Sequence, residues 1–572
     1  MIILGVNSVF HESSAALVVN GRVVASAEEE RFNRRKHAKP ADVDTPHILP
    51  AAAIKFCMEQ AQISAKDIDA IAYSYDPELR RRTFVPDALS VEGDWGSVTG
   101  EQTFWDSLDR VPQALGALLG RRVPIEWIRH HLAHAASVYH PFCPRDAAVL
   151  VVDGIGENAA SVLFGGGRYG LNVLEETWYP HSIGFLWERL SGFLGFSPYD
   201  ACKVMGLAGY GDPRVHRRAF EQFVQVNRDG NYALDLDVLR FRLPSSEPLE
   251  ALLGPPRSGE PIGQRHADIA ATLQELTNEM MLGMVRRLHD LHPSRALGLA
   301  GGVALNCSTN YVLKEQGPFE RLYFPPAAHD GGTAIGAALH VAAANGEDGA
   351  GAHTPYLGPS YSDDDIAQAL RDVGEHHYRA NDFGELVTDV ADLLCDGAVV
   401  AWFQGKMELG PRALGNRSLL ADPRDPQMRE LLNHKVKHRE HFRPFAPSVL
   451  AEHAHHWFEL GRPSQALDLM LCAVPIKHGL IDRIPAVAHK DGTARVQLVH
   501  RESNPRYHAL ISKFYERTGV PMLLNTSFND SEPIVCSPAD ALHTFSSTRI
   551  DALVLGDHIV RRQVAEQLDD AA

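Results

Sequence analysis

Two histidines four residues apart are the most informative short pattern in the sequence. His130 and His134 stand in the segment HHLAHAAS, interpreted as helical. Side chains at positions i and i+4 lie on one face of a helix, so both imidazoles can reach a single metal ion. The alternative is a pair of helix-surface histidines. His131 points elsewhere on such a helix and is interpreted as structural.

Two aspartates could complete a metal site with these histidines. Asp153 ends an apolar strand before a Gly-Ile-Gly turn, and Asp330 precedes a Gly-Gly pair and a helix. A carboxylate at the C-terminal end of a strand lies where α/β proteins bind ligands. Each could instead cap a helix or a turn. Two imidazoles and two carboxylates suit Fe²⁺, Mn²⁺ or Zn²⁺, and the sequence does not choose among these ions.

A cluster of basic residues lies inside a strongly acidic chain. The chain carries 55 Lys and Arg against 72 Asp and Glu, a formal charge of −17. From Arg412 to Arg443 eight basic and four acidic residues give 8 − 4 = +4. Proline and glycines around Arg412 predict a rigid loop, and a rigidly held guanidinium is suited to binding phosphate. Arg429 and Lys435 in the same segment are interpreted as a solvated helix face.

Two polar loops after predicted strands offer further ligand contacts. Gly302 follows a second glycine in AGGVALN, and paired glycines let a ligand such as a nucleotide approach the backbone. Asn525 and Ser527, in the segment NTSFN, place several hydrogen-bonding groups at a strand end. Neither motif is specific by itself.

Composition excludes several classes of protein. With 572 residues, 45% hydrophobic and 22% charged, the chain is predicted to be globular with at least two domains. No apolar run approaches the roughly 20 residues needed to span a bilayer, and the N-terminus lacks a secretory signal. The net acidity argues against nucleic-acid or membrane-surface binding. Seven scattered cysteines predict free thiols and a cytoplasmic location.

The predicted strands and turns follow the same order in two parts of the chain. Strands are predicted at 2–6, 15–19 and 22–27, the last two joined at Asn20-Gly21, a strong hairpin signal. Strands at 147–153 and 160–164, followed by a predicted turn at 165–167, repeat this strand–turn–strand order. The repetition predicts a duplicated architecture, as in the actin/hexokinase-like ATPase fold. Helices are predicted at 51–61, 266–291, 333–344, 363–373 and 384–395.

Ten segments of the chain resemble the NodU/CmcH family of O-carbamoyltransferases, whose members include aminoglycoside, cephem and ansamycin O-carbamoyltransferases. These segments follow the family's order over essentially the whole chain. They are FHESSAAL (10–17), EEERFNRRKH (28–37), HHLAHAAS (130–137), VVDGIGE (151–157), KVMGLAGYG (203–211), AGGVALN (300–306), ELGPRALGNRSLL (408–420), FRPFAPSVL (442–450), SNPRYH (503–508) and LNTSFND (524–530).

The resemblance implies an α/β protein with α+β elements and two domains. Residues 1–355 would form a duplicated actin-like (ASKHA) ATPase fold, and residues 356–572 a YrdC/Sua-like domain. Carbamoyl phosphate and ATP, with Mg²⁺, would give carbamoyl-adenylate in the C-terminal domain. The N-terminal domain would then transfer the carbamoyl group to a hydroxyl of a natural-product acceptor such as an antibiotic intermediate. An enclosed route between the domains, no nucleic-acid or membrane partner, and a homodimer are further expectations.

The resemblance also implies roles for individual residues. His11 matches the general base and Lys36 a lysine that contacts the adenylate. His130, His134, Asp153 and Asp330 match the ligands of a metal usually described as iron, and Asp153, Gly302 and Asn306 match contacts to the nucleotide. The contacts to carbamoyl phosphate and ATP match Arg412, Lys437, Arg443, Arg495, Asn525 and Ser527.

Two other functions stay open at this point. A tRNA threonylcarbamoyl transferase would use threonine and bicarbonate and would need a basic surface, which the charge of −17 disfavours. A non-catalytic actin-fold protein would bind a nucleotide without carbamoyl transfer. The acceptor itself is not predicted, although the segments 75–125 and 212–262 are candidates for its pocket.

Overall fold

The structure is a computed structural model that describes residues 1–10, 12–39, 45–168, 170–227, 230–347, 354–374 and 376–562. The predicted base His11 therefore lies outside the described residues. The described chain is mixed α/β and contains two five-stranded sheets and one eight-stranded sheet. All seven cysteines are free, as expected. Within the described ranges, no helix has the length and apolar character that crossing a bilayer requires.

The first sheet is formed by the N-terminal hairpin and two later strands. Its order is β3-β2-β1-β4-β5, with the first three strands antiparallel and β4 and β5 parallel to β1. Asn20 and Gly21 both have positive φ, as a two-residue type I′ hairpin requires. The strands are β1 (Ile2–Asn7), β2 (Ser14–Val19), β3 (Arg22–Glu28), β4 (Ala70–Tyr73) and β5 (Ile125–Trp127).

The second sheet repeats the first in order and direction. In the order β8-β7-β6-β11-β12, the first three strands are antiparallel, and β11 and β12 run parallel to β6. The predicted duplicated architecture is confirmed by this match. The strands are β6 (Ala148–Val152), β7 (Ala159–Gly167), β8 (Gly170–Trp178), β9 (Val224–Val226), β10 (Tyr232–Leu234), β11 (Ala296–Ala300) and β12 (Arg321–Tyr323), of which β9 and β10 form a separate hairpin.

The turn predicted at 165–167 is wrong, because these residues end β7 and pair with β8. A side chain on Gly166 would lie 2.6 Å from the Tyr139 ring and 2.7 Å from the Ala147 carbonyl oxygen. The glycine therefore permits close packing of β7, whereas the sequence pattern indicated a change of chain direction.

The C-terminal sheet has eight strands in the order β13-β22-β21-β14-β15-β20-β16-β19. A C-terminal α/β unit is thus present, while its YrdC/Sua-like character and a boundary at 355/356 stay predictions. The strands are β13 (His377–Arg379), β14 (Val400–Phe403), β15 (Arg417–Ala421), β16 (Ala446–Leu450), β17 (Ala473–Pro475), β18 (Thr493–Arg495), β19 (Gln497–Val499), β20 (Met522–Ser527), β21 (Ala552–Leu555) and β22 (His558–Arg561), with β17 and β18 paired separately.

The longer helices match the predicted positions within two residues where a prediction was made. The helix predicted at 266–291 begins two residues earlier, and the one predicted at 333–344 has those bounds. Helices of at least eight residues are Ala51–Gln60, Val98–Leu108, Val111–Leu119, His130–Phe142, Ile183–Phe193, Ala201–Ala208, Gln264–Leu291, Cys307–Gln316, Thr333–Ala344, Asp363–Val373, Phe383–Cys395, Pro505–Thr518 and Pro538–Ser547.

Two of these helices pack against each other between the two five-stranded sheets. Thr333–Ala344 packs against β1 and β2, His130–Phe142 packs against β6 and β11, and the two helices pack against each other. They approach so closely at Gly336 that a Cβ there would lie 1.7 Å from the Ala133 carbonyl oxygen. Both helices are largely buried, so this backbone contact sets the distance between the two sheets.

We expect Gly336→Ala to lower the melting temperature, because a methyl group at this crossing must push the helices apart, at a cost of ~1–3 kcal/mol. Differential scanning calorimetry measures the change. Gly192→Ala is the matched control, since a Cβ at Gly192 has no atom within 4 Å. Equal melting temperatures for the two variants would contradict the packing argument.

Candidate active site

The four predicted metal ligands converge at one point. His130 and His134 lie on the first turns of helix His130–Phe142, Asp153 follows β6, and Asp330 lies just before helix Thr333–Ala344. The Nε2 atom of His130 lies 3.2 Å from His134 Nε2 and 3.3 Å from Asp153 Oδ2. His134 Nε2 is 3.2 Å from Asp330 Oδ1. One potential ligand atom from each residue lies within 4.8 Å of all the others.

These separations fit a shared divalent ion. Ligand atoms bound at about 2.1 Å stand about 3.0–3.4 Å apart around one ion. Imidazole and carboxylate ligands together suit a divalent transition metal. His130 Nδ1 lies 3.3 Å from the Ser74 carbonyl oxygen and can donate to it, which directs the lone pair on Nε2 towards the cluster. His134 Nδ1 has no hydrogen-bond partner among the described residues.

The carboxylates dominate the electrostatics of the cluster. Burial opposes a charge on both imidazoles, but Asp153 and Asp330 outweigh it and raise the pKa of His130 and His134 above the ordinary value. A divalent ion bound here would replace the protons that the two carboxylates stabilise on the imidazoles. His131 behaves differently, because burial and then the neighbouring His130 lower its pKa to about 3, consistent with the structural role predicted for it.

Residues behind the cluster hold its ligands in place. The Gly302 amide donates to Asp153 Oδ1 at 2.9 Å, which orients the carboxylate. Glu157 Oε1 accepts hydrogen bonds from the backbone amides of His130 and Asp76, both at 2.8 Å. Glu157 thereby ties the start of the histidine helix to the loop that carries Asp153. The sequence analysis missed Glu157, although its place at the end of VVDGIGE was a usable signal.

We expect the purified protein to bind Mn²⁺ more weakly at pH 6 than at pH 8. The carboxylates raise the pKa of both imidazoles, so protons compete with the ion increasingly as the pH falls. Isothermal titration calorimetry measures the affinity. Asp330→Asn should weaken binding at both pH values. His140→Gln should not, because His140 lies on the helix of His130 and His134 but outside the cluster. Binding that is independent of both pH and Asp330 would contradict this site.

One large cavity extends from this cluster to the predicted site residues of the C-terminal sheet unit. Its volume is about 990 Å³. Nine of the predicted site residues line it, which are Asp153, Gly302, Asn306, Asp330, Arg412, Arg443, Arg495, Asn525 and Ser527. His130, His134 and Lys437 are buried outside its lining, and Lys36 is exposed and does not line it.

Two arginines face this cavity without partners. The Nε atoms of Arg412 and Arg495 are buried and have no hydrogen-bond partner in the described part of the chain. Burial, and after it the neighbouring Arg412 and Arg443, lowers the pKa of Arg495 to about 9. Buried cations without counter-ions are costly, so this wall of the cavity is suited to an anionic ligand.

Lys437 and Asn525 have internal partners instead. The Lys437 ammonium donates to the Ser527 carbonyl oxygen and to the carbonyl and side-chain oxygens of Asn529, at 2.7 and 2.6 Å for the last two. An ammonium group has three hydrogens, so these bonds occupy it while it holds the loop. The Asn525 amide donates to Ala413 and Ser448, and its Oδ1 has no partner among the described residues.

Asn306, predicted to contact a nucleotide, also has a local structural role. It lies at the cavity wall, and its Oδ1 accepts from the Thr309 amide at 3.0 Å, which caps helix Cys307–Gln316. Its side-chain nitrogen donates to Gln274. Arg429, interpreted from the sequence as part of a solvated helix face, lines the cavity instead.

The two segments named as candidates for an acceptor pocket meet in the same cavity. Trp95 and Arg242 both line it, with the guanidinium 3.9 Å from the centre of the indole ring. Glu188 lines it as well, and burial, opposed by Arg242, raises the pKa of this carboxyl to about 8. The sequence analysis did not single out Glu188.

Fold and site together define an α/β enzyme with a buried ligand cluster and a cationic cavity wall. Residues 2–339 match the family model for the carbamoyltransferase N-terminus, and residues 391–562 match the carbamoyltransferase C-terminus. The chain therefore belongs to the carbamoyltransferase family and is a carbamoyltransferase enzyme. This result confirms the predicted family and excludes a non-catalytic actin-fold protein.

Curated relatives are similar over most of the chain. Nodulation protein NolNO of Sinorhizobium fredii is 37% identical, over 98% of this chain and 81% of that protein. Nodulation protein NolO of Bradyrhizobium diazoefficiens is 37% identical, over 78% of this chain and 81% of that protein. Among solved structures, (R)-2-hydroxyglutaryl-CoA dehydratase component A of Acidaminococcus fermentans is 14% identical with a TM-score of 0.32, over 60% of this chain and 99% of that chain.

Proposed function

We propose that this carbamoyltransferase is ATP-dependent and works in two steps at two regions of one cavity. The observation that carries the proposal is the cavity itself, whose lining includes both unpaired arginines and the two aspartates of the ligand cluster. In this scheme residues 356–572 make the activated donor, and residues 1–355 transfer the carbamoyl group.

The first step joins the carbamoyl group to AMP. Water would hydrolyse carbamoyl phosphate to carbamate and phosphate. A carbamate oxygen would then bond to the α-phosphorus of ATP as the bond from that phosphorus to the β-phosphate oxygen breaks, which gives carbamoyl-adenylate and pyrophosphate. Every reactant and product except water carries a phosphate group. Arg412, Arg443 and Arg495 would bind these groups, with Asn525 and Ser527 beside them in the cavity wall. Bound phosphate would supply the counter-charge that Arg412 and Arg495 lack among the described residues, whereas Arg443 lies 3.8 Å from Glu440. Mg²⁺ would accompany ATP.

The second step transfers the carbamoyl group to an acceptor hydroxyl. The hydroxyl oxygen forms a bond to the carbamoyl carbon, the bond from that carbon to the AMP phosphate breaks, and the hydroxyl proton goes to a base. We assign this proton to His11, the residue that the family resemblance implies as the general base. Gly302 and Asn306 would contact the nucleotide, and Lys36 is assigned to the adenylate by resemblance alone.

His130, His134, Asp153 and Asp330 would hold the metal ion, and we favour Fe²⁺, with Mn²⁺ and Zn²⁺ as alternatives. When bound, the ion would neutralise charge on the phosphate of the departing AMP. The chain's own contribution is to bury the cluster and to hold its ligands through Gly302 and Glu157.

The acceptor in this proposal is a small hydroxylated natural product. The wall that includes Trp95, Glu188 and Arg242 offers an aromatic surface, a carboxyl and a guanidinium beside the cluster. A cavity shared by both steps would also keep carbamoyl-adenylate, which water can hydrolyse, inside the protein. A cytoplasmic protein without nucleic-acid or membrane partners, and a homodimer, complete the proposal.

Arg412→Ala is expected to abolish pyrophosphate release that depends on carbamoyl phosphate, because it removes a cation of the donor site. His11→Ala should leave this release intact and block transfer to the acceptor, lowering the transfer rate about 10²–10⁴-fold. A coupled pyrophosphate assay measures the first step, and mass spectrometry of acceptor mixtures measures the second. Defects assigned the opposite way would overturn the proposed division of labour.

A further inference from the structure

The segment EEERFNRRKH (28–37) has no assigned role apart from that of Lys36, which is exposed and does not line the cavity. Its residue Arg31 lies on the short helix Glu30–Asn33, and its side chain is only 5% exposed. The guanidinium forms an ion pair with Glu28 and another, at 2.9 Å, with Glu30. The charge of Arg31 is therefore compensated within its own segment, so its burial does not call for a ligand.

Arg31 also binds the C-terminal sheet unit. Its Nη2 atom donates to the Gly410 carbonyl oxygen at 2.9 Å, across 379 positions of sequence. Gly410 belongs to the arginine loop, residues 408–412, which ends at Arg412. A Cβ on Gly410 would lie 2.3 Å from the Pro326 carbonyl oxygen, in the aspartate loop, residues 326–331, which carries Asp330. The arginine loop thus contacts both Arg31 and the aspartate loop.

Glu28, the partner of Arg31, contacts the aspartate loop as well. Its Oε1 atom lies 3.5 Å from His329 Nε2 and would lie 3.0 Å from a Cβ on Gly331. These two residues flank Asp330 in the chain. Arg31 and Glu28 together therefore connect the arginine loop, on one side of the cavity, to the aspartate loop at the ligand cluster.

Arg34 makes a second link from the same segment to the C-terminal sheet unit. Its terminal nitrogens donate to the carbonyl oxygens of Pro533 and Ile534, at 2.6 and 2.7 Å. Hydrogen bonds from a charged donor are stronger than those between neutral groups. Two arginines close together in sequence thus hold backbone oxygens of the C-terminal unit in place.

We propose that Arg31 is a positioning residue that holds the arginine loop against the aspartate loop, so that carbamoyl-adenylate stays in the cavity between the two steps. The proposal rests on the proposed function for the identity of this intermediate. The planar fork of a guanidinium can bind two carboxylates and a carbonyl oxygen at once, which a single ammonium group at this position does less well. An intermediate that escapes takes up water and gives carbamate and AMP.

Pyrophosphate release in the absence of an acceptor tests this role on the full-length protein with carbamoyl phosphate and ATP. The unaltered protein should release a burst of pyrophosphate equal to the amount of protein and then nearly stop, because the retained intermediate occupies the cavity. Arg31→Gln should give the same burst and then continue. Its steady rate should be about ten- to hundredfold higher, the change expected on loss of a charge-assisted hydrogen bond. AMP, measured by chromatography of the filtrate, should accumulate at the same rate.

Two further variants separate positioning from a general structural role. Arg31→Lys keeps the charge beside Glu28 and Glu30 but loses the fork, so its steady rate should lie between those of the unaltered protein and Arg31→Gln. It also carries the test if Arg31→Gln does not fold. Arg35→Gln is the matched control, because Arg35 belongs to the same segment and its side chain is exposed. This variant should show the burst and the slow steady rate of the unaltered protein.

Three results would overturn the proposal alone. They are a burst without further release in both Arg31 variants, continued release by the unaltered protein, and loss of the burst itself in Arg31→Lys, which would place Arg31 in the first step. An unaltered protein that releases no pyrophosphate in response to carbamoyl phosphate would overturn the proposed function, and this proposal with it.

Discussion

The close crossing of two helices at Gly336 is the contact on which the ligand cluster depends. One helix carries His130 and His134 on the second sheet, and the other follows Asp330 and packs on the first sheet. Asp153 reaches the same point from the end of β6. A backbone separation that leaves no room for a Cβ brings these side chains within a few ångströms of each other. The duplicated sheets thus build the ligand cluster, because the helix packed on each sheet meets the other helix here.

Opposite charges are kept in separate regions of the same cavity. Carboxylates surround the imidazoles of the cluster, and the guanidinium groups of the C-terminal wall lie next to one another. The carboxylates of the cluster do not neutralise the guanidinium groups of the wall, since Arg412, Arg439 and Arg495 have no carboxylate within ion-pair distance in the described chain. This separation is unfavourable for folding and favourable for binding two different ions, a cation at one region and an anion at the other.

Several residues have roles that their type alone does not indicate. Lys437 and Arg439 stand two positions apart in one basic segment, yet one holds a loop and the other faces the cavity. Arg417 and Arg424 in that segment are also structural, the first buried 3.6 Å from the Phe403 ring and the second paired with Asp422. A count of basic residues drew attention to this segment but could not sort its members by role.

The sequence by itself determined the family, through ten segments that match it in order, and most of the elements, because helices and strands depend on short-range periodicity and on turn residues. The spacing of His130 and His134 and the hairpin at Asn20-Gly21 are such local features. Only the tertiary structure decided which side chains share the cavity, that Glu157 supports the histidine helix, and that the glycines at 165–167 lie in a strand. These outcomes depend on contacts between residues far apart in the chain, and no local pattern specifies them.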